Sequence, residues 1–149
     1  MAVRFSTRVR YGMQAMLALA MRPQQVPLSV KEIAERHSLP EHYLEQLITP
    51  LRRAGLVQSA RGAQGGYVLA HPAAEISLRD IVEALEGPVA VDECSCPPGA
   101  EHAFGYCLEH GVWRKLKQTI DDHLASRSLA DLRDEAFAAE QEAAPAYEI

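Results

Sequence analysis

A short capped helix, a tight joint at "HSLP" and a second amphipathic helix lead at once into a glycine-rich strand pair. Together they predict a mainly α fold with a small β-hairpin wing. That order is a winged helix-turn-helix, here continued by a long amphipathic helix. Hydrophobic content of 48% against 23% charged residues is ordinary for a globular chain of 149 residues. No apolar run reaches the ~18 residues of a membrane span.

The elements follow in order. "STRVRYGMQAMLALAM" places Val9, Met13, Met16, Leu17 and Ala20 at the spacing of a buried helical stripe, with Ser6 or Thr7 as cap and Pro23 beyond its end. In "PLSVKEIAERHSLP" Ser29 is the N-cap, Glu32 its capping-box partner, and Ile33 and Ala34 face inward. Pro40 is expected at the first position of the third helix, "PEHYLEQLITPLRRAG". There Leu44, Leu47, Ile48 and Leu51 form the apolar face, Pro50 is expected to kink the last turn, and Gly55 stops it. His42, Tyr43, Gln46, Arg52 and Arg53 fall on other faces.

"LVQSARGAQGGYVLA" then reads as a hairpin with Arg61 near its tip, where Gly62, Gly65 and Gly66 permit positive φ and close backbone approach. A glycine-rich loop can also cradle a nucleotide phosphate, but no P-loop Lys-Ser/Thr follows it. "SLRDIVEALEGP" is a fourth helix capped by Ser77, with Leu78, Ile81, Val82 and Leu85 inward and Gly87-Pro88 at its end. "YCLEHGVWRKLKQTIDDHLASRS" is the longest amphipathic helix, with Trp113, Leu116, Ile120 and Leu124 as a stripe suited to a partner helix. "SLADLRDEAFAAE" is a short capped helix, and "QEAAPAYEI" reads as a tail.

The net charge of −5 conceals an asymmetry. Residues 1–70 hold nine Lys/Arg against four acids, whereas residues 71–149 hold six against sixteen. The first half is a candidate polyanion-binding surface, and the second repels DNA. The three cysteines, Cys94, Cys96 and Cys107, fit a reducing compartment better than a disulfide framework. The start "MAVRFSTRVRYG" lacks an apolar core with a small-residue cleavage site, so a cytoplasmic protein is expected. No nucleophile stands in a recognisable catalytic setting with a base, so an enzyme is not expected.

The runs "RFSTRVRYGMQAMLALA", "SVKEIAERHSLPEHYLEQLITPLRRAGLVQSARGAQGGYVLA" and "SLRDIVEALEGP" closely resemble the Rrf-two family of bacterial winged-helix regulators. Its branches include the IscR, NsrR and CymR types, and the DNA-binding part here looks closest to CymR. The resemblance covers residues 4 to about 133. It implies a DNA-binding transcriptional regulator, and a repressor in particular. It also implies a homodimer on a pseudo-palindromic operator, with the helix near 105–126 as the dimerisation element. The expected division is a winged helix-turn-helix at 1–88, a cysteine-containing sensor loop at 89–107, the dimerisation helix and a short helix at 105–138, and a tail at 139–149.

Operator contacts follow from both readings. The third helix is expected in the major groove, with His42 and Tyr43 near its start and Gln46 one turn on. The resemblance places Glu45 where it accepts from a cytosine amino group. Arg61 is expected in the adjacent minor groove, the Gly65-Gly66 backbone against phosphate, and Arg8, Tyr11, Arg52 and Arg53 on phosphates. Tyr11 and Tyr43 can instead be core residues with a hydroxyl at the edge, and Glu45 can pair with an arginine one turn away.

In cluster-binding members of the family three cysteines lie in the corresponding loop, with a nearby histidine or partner-subunit residue as fourth ligand. Cys107 and His110 match the last cysteine and the histidine of the IscR pattern, whereas Cys94 and Cys96 are one residue apart and depart from it. The expected occupant is a [2Fe–2S] cluster on Cys94, Cys96, Cys107 and His110, with His102 as a substitute ligand. Zinc in Cys₃His coordination is one alternative. A metal-free thiol switch at Cys94 or Cys96 is the other. The cross-subunit variant, with a carboxylate or histidine on the first helix, is disfavoured because Arg8 stands there. A CymR-like regulator of cysteine metabolism, bound by cysteine synthase, is the alternative function. The tail "AYEI", ending on Ile149, resembles peptides that dock into that enzyme's active site, and equally reads as a frayed end.

Overall fold

The computed structural model describes residues 5–23, 26–91 and 106–143, the first five residues of the last stretch by backbone alone. Its order is α1 (Thr7–Ala20), α2 (Val30–His37), α3 (Glu41–Arg53), β1 (Val57–Ala60), β2 (Gly66–Leu69), α4 (Leu78–Glu86), α5 (Tyr106–Ser126) and α6 (Leu129–Ala143), with one 3-10 turn at Ala73–Glu75. No helix among the described residues is long and apolar enough to cross a membrane.

Local chemistry sets the helix starts. Ser6 Oγ accepts from Val9 N at 3.3 Å and opens α1. Ser29 and Glu32 form the expected capping box at α2, and the Glu32 carboxylate also takes Arg22 Nη2 at 2.8 Å, tying the end of α1 to the start of α2. Ser77 and Asp80 form a second box at α4. Pro40 sits one position earlier than expected, as the N-cap of α3, because its extended ψ of 130° keeps it outside the helix; it supplies no side-chain cap. α3 continues through Pro50 to Arg53.

The core lies where α1 meets α3, α4 and β2. Met16, Ile33, Leu44, Leu47, Ile48, Leu51 and Ile81 are all at most 2% exposed, each fully buried side chain of this size stabilising the fold by about 1.5–3 kcal/mol. The buried side of α1 is rotated from the expected stripe. Val9, Gly12, Ala15, Met16, Ala18, Leu19 and Ala20 are buried, while Met13 and Leu17 stay half-buried beside a surface hollow that also involves Phe5 and Leu132. Close approach accompanies the shift: a Cβ on Gly12 would lie 2.4 Å from Leu85 Cδ1, so glycine lets α1 pack on α4 without moving the Leu85 side chain.

The hairpin pairs Val57 with Leu69 and Ala60 with Gly66, antiparallel. A single bridge adds Leu28 beyond β2, with Leu28 N donating to Tyr67 O at 3.0 Å and Tyr67 N to Leu28 O at 2.9 Å. α5 packs on α4, with Leu116, Ile120 and Leu124 half-buried and Trp113 38% exposed. α6 continues to Ala143, taking up residues 139–143 that were expected in the tail.

Candidate nucleic-acid interface and sensor segment

α3 buries Leu44, Leu47, Ile48 and Leu51, and the same periodicity turns His42, Glu45, Gln46, Arg52 and Arg53 to the surface. Gln46 Nε2 lies 3.1 Å from His42 Nε2. That distance is within hydrogen-bond range. The two side chains therefore form one polar unit on the outer face. Thr49 Oγ1 donates to the Glu45 carbonyl at 2.9 Å. Glu45 is exposed and has no ion-pair partner among the described residues.

Tyr11 of α1 and Tyr43 of α3 meet edge to face with centroids 5.9 Å apart, and both are partly buried against the core. Their first task is thus to lock the start of α3 onto α1; such a pair adds about 0.5–1.5 kcal/mol beyond burial. At the other end Arg52 Nη1 donates to Ser59 Oγ at 3.4 Å, linking α3 to β1. Ser59 was not foreseen, because an outward serine on a short strand gives no local signal of a partner seven residues away.

Arg61 is exposed at the start of the turn between the strands. Gly62 holds φ +129°, and Gly65 N donates to Gly62 O at 3.0 Å, closing the tip. Gly66 has a different reason to be glycine: a Cβ there would lie 2.5 Å from the Leu28 carbonyl oxygen. Its space is taken by the Leu28 backbone.

Ion pairing separates the basic residues only in part along the sequence, since Arg22 and Lys31 of the first half are paired and the exposed Arg114 and Lys115 of the second half have no carboxylate partner among the described residues. Arg22, Lys31, Arg79, Lys117, Arg127 and Arg133 have carboxylate partners within 4.0 Å. Arg8, Arg10, Arg36, Arg52, Arg53 and Arg61 have none among the described residues, and all six are exposed. His37, the last residue of α2, has its pKa pushed below the ordinary histidine value by burial and then by the Arg36 charge. Its Nε2 is buried without a partner among the described residues. Glu32 is held below the usual carboxylate range, first by the Ser29 backbone N–H and then by the Ser29 hydroxyl.

Cys94, Cys96 and His102 lie outside the described residues. Cys107 and His110 occupy the first five residues of α5, three apart, so their backbone positions share one side of the helix. A thiolate and an imidazole so spaced fit a shared metal centre as donor types. No group of three or more metal-ligating side chains occurs among the described residues.

Comparison with known proteins agrees with this geometry. The family described as Rrf2, iron-dependent transcriptional regulator, matches residues 5–135. The HTH-type transcriptional regulator CymR of Bacillus subtilis is 41% identical over 133 residues, covering 87% of this chain and 89% of CymR. The structure of this global cysteine regulator superposes with a TM-score of 0.73 at 39% identity, covering 90% and 98% of the two chains. IscR of T. potens superposes with a TM-score of 0.76 at 42% identity, covering 99% and 96%. The oxidized form of Staphylococcus aureus CymR gives 0.70 at 40% identity, covering 88% and 96%. These relatives are transcriptional regulators rather than enzymes, and their folds superpose on the six helices and two-stranded hairpin of this chain. The chain belongs to the Rrf2 family of DNA-binding transcriptional regulators.

Proposed function

We propose that the chain is a homodimeric repressor that reads a pseudo-palindromic operator with α3 and the wing. The unpaired arginines carry this reading. Arg52, Arg53 and Arg61 flank the His42–Gln46 unit without a carboxylate to neutralise them among the described residues. A guanidinium left unpaired in this way is available for phosphate or for a base edge. Arg61→Ala should weaken binding to an operator selected from random duplexes by roughly 1–3 kcal/mol, measured by fluorescence anisotropy. Unchanged affinity would remove the wing from the interface.

The signal is received, in this reading, by the segment around residues 92–110. Cys94, Cys96, Cys107 and His110 would hold a [2Fe–2S] cluster, with His102 as substitute ligand. The shared side of Cys107 and His110 on α5 and the iron dependence in the family's description support it. Bound there, a cluster supplies a response to iron supply and oxidation. Protein purified without oxygen should be coloured, with iron as its metal, and Cys107→Ala should lose the visible absorption. Colourless protein with stoichiometric zinc, or with no metal, would overturn the cluster.

A second reading rests on the likeness to CymR, described for B. subtilis as a global cysteine regulator and known for S. aureus in an oxidized form. Here the cysteines act as a thiol switch and the tail ending at Ile149 engages cysteine synthase. Removing the last four residues should then abolish capture of that enzyme. Capture surviving the truncation would exclude the tail.

A further inference from the structure

Two capping boxes stand back to back where α4 begins and where α5 turns into α6. Ser77 N donates to Asp80 Oδ2 at 3.0 Å, and Asp80 N to Ser77 Oγ at 3.1 Å. Ser128 repeats the pattern directly before α6, its N donating to Asp131 Oδ2 at 2.7 Å and its Oγ accepting from Asp131 N at 3.1 Å. The two serines face each other in an antiparallel bridge. Leu78 N donates to Arg127 O at 2.9 Å, and Leu129 N to Ile76 O at 2.8 Å. The first amides of α4 and α6, which no helix can satisfy internally, are thus spent on each other's preceding residues.

Burial marks the same place. Leu129 is 0% exposed and Ile76 1%, and Leu129 is the only core side chain beyond Val91 among the described residues. The remainder of α5 rests on α4 through a half-buried stripe. α4 in turn packs on α1 and on α3. One end of the α4–α5 pair is joined through residues 87–105, and the other end is held by this bridge.

We propose that the Ser77–Ser128 clasp is the positioning element that fixes the direction of α5 against the DNA-binding half. It thereby sets the separation of the two reading heads. The proposal rests on the homodimer and operator reading above. If α5 carries the dimer contact, a small change in its angle moves each α3 by a lever. Operator half-sites one base pair further apart are displaced by about 3.4 Å and turned by about 35°. A rigid clasp rejects such a change, whereas a loosened one tolerates it.

Leu78→Pro tests this against Leu78→Ala, which loses the same half-buried packing on the core but keeps the backbone N–H. Position 78 is the first residue of α4, where proline is favoured and its missing N–H costs no helical bond. Ser77 already has the ψ of 155° that a following proline requires. The change therefore deletes the Leu78 N–Arg127 O bond. Asp131→Ala is the second variant, loosening the clasp from the α6 side should the proline variant fail to fold.

Each protein is checked for dimerisation by sedimentation. Binding is then measured to the duplex that wild-type protein enriches from a random pool, to one half of it, and to versions with one base pair inserted or removed at the centre. Wild type should lose roughly tenfold or more on either change of spacing, the scale of one lost base contact. Folded dimers of Leu78→Pro and Asp131→Ala should bind the single half within about twofold of wild type and show a spacing preference flattened to about threefold or less. Dimers of these two that keep the full preference, or flatten it no more than Leu78→Ala does, overturn the clasp proposal alone. A wild-type chain that is monomeric, or indifferent to spacing, overturns the operator reading on which it stands.

Discussion

Gly66→Ala is a substitution whose cost can be worked from distances. The new Cβ would lie 2.5 Å from Leu28 O, 2.6 Å from Leu28 C and 2.9 Å from Ser29 N. All three are backbone atoms, so no side chain can rotate aside, and β2 must move off Leu28 by about 1 Å to restore ordinary contact. That movement breaks the two bonds between Leu28 and Tyr67, at 3.0 and 2.9 Å. At about 0.5–1.5 kcal/mol each the loss is about 1–3 kcal/mol, the same range as overpacking a core by one methyl. For a chain of this length 2 kcal/mol lowers Tm by roughly 4–8 °C. Urea unfolding measures it, with Gly111→Ala as the contrast. Gly111 lies in α5 with nothing within 4 Å of a built Cβ, so alanine there should stabilise by about 0.5–1 kcal/mol. A Gly66→Ala protein within about 0.5 kcal/mol of wild type would refute the argument that Leu28 occupies the space. Because Gly66 opposes Ala60 next to Arg61, the variant should also lose operator affinity.

Other outcomes follow from named contacts. Arg53→Ala should reduce the slope of log affinity against log salt by about one per copy while weakening all duplexes alike. A loss confined to one sequence would place Arg53 on a base instead. Ser29→Ala removes the acceptor for Glu32 N and should cost about 1 kcal/mol in urea unfolding; no change would mean that Arg22 and Glu32 suffice to start α2. His37 is depressed from its ordinary value of 6.5. The unfolded chain therefore takes up the proton first as pH falls, and stability declines from about 6.5 down through the lower folded value. His37→Gln should flatten the urea midpoint between pH of about 7.5 and 5.5. Equal pH dependence in both proteins would assign the effect elsewhere.

Local features of this fold were legible because their partners are close in sequence. The Ser29–Glu32 box and the Ser77 cap are patterns of three-residue spacing, and the inward face of α3 is a period. Of the residues left over on α3, His42, Gln46, Arg52 and Arg53 were therefore the exposed ones, whereas Tyr43 turned partly inward against Tyr11. Met13 and Leu17 were misassigned because periodicity identifies an apolar helix but not which neighbours cover each side. The Leu28–Tyr67 and Ser77–Ser128 bridges pair positions distant along the chain, and nothing in either short stretch names its partner. Gly66 was expected with its backbone against phosphate, and the structure adds a separate reason for glycine there, the Leu28 backbone on its Cβ side. Of the expected cluster ligands, only the backbone placement of Cys107 and His110 falls in the described residues.

Trp113 is the sole tryptophan of the chain and lies 38% exposed, two turns into α5 and six positions past Cys107. The molecule therefore carries one indole, which excitation near the red edge selects over its five tyrosines, and it stands near the start of the helix that the homodimer reading makes the subunit contact. Its emission should move to shorter wavelength when that surface is covered by a second chain, and should be quenched by a nearby metal centre or thiol. A single emission band could thus follow assembly and sensing on the unmodified protein.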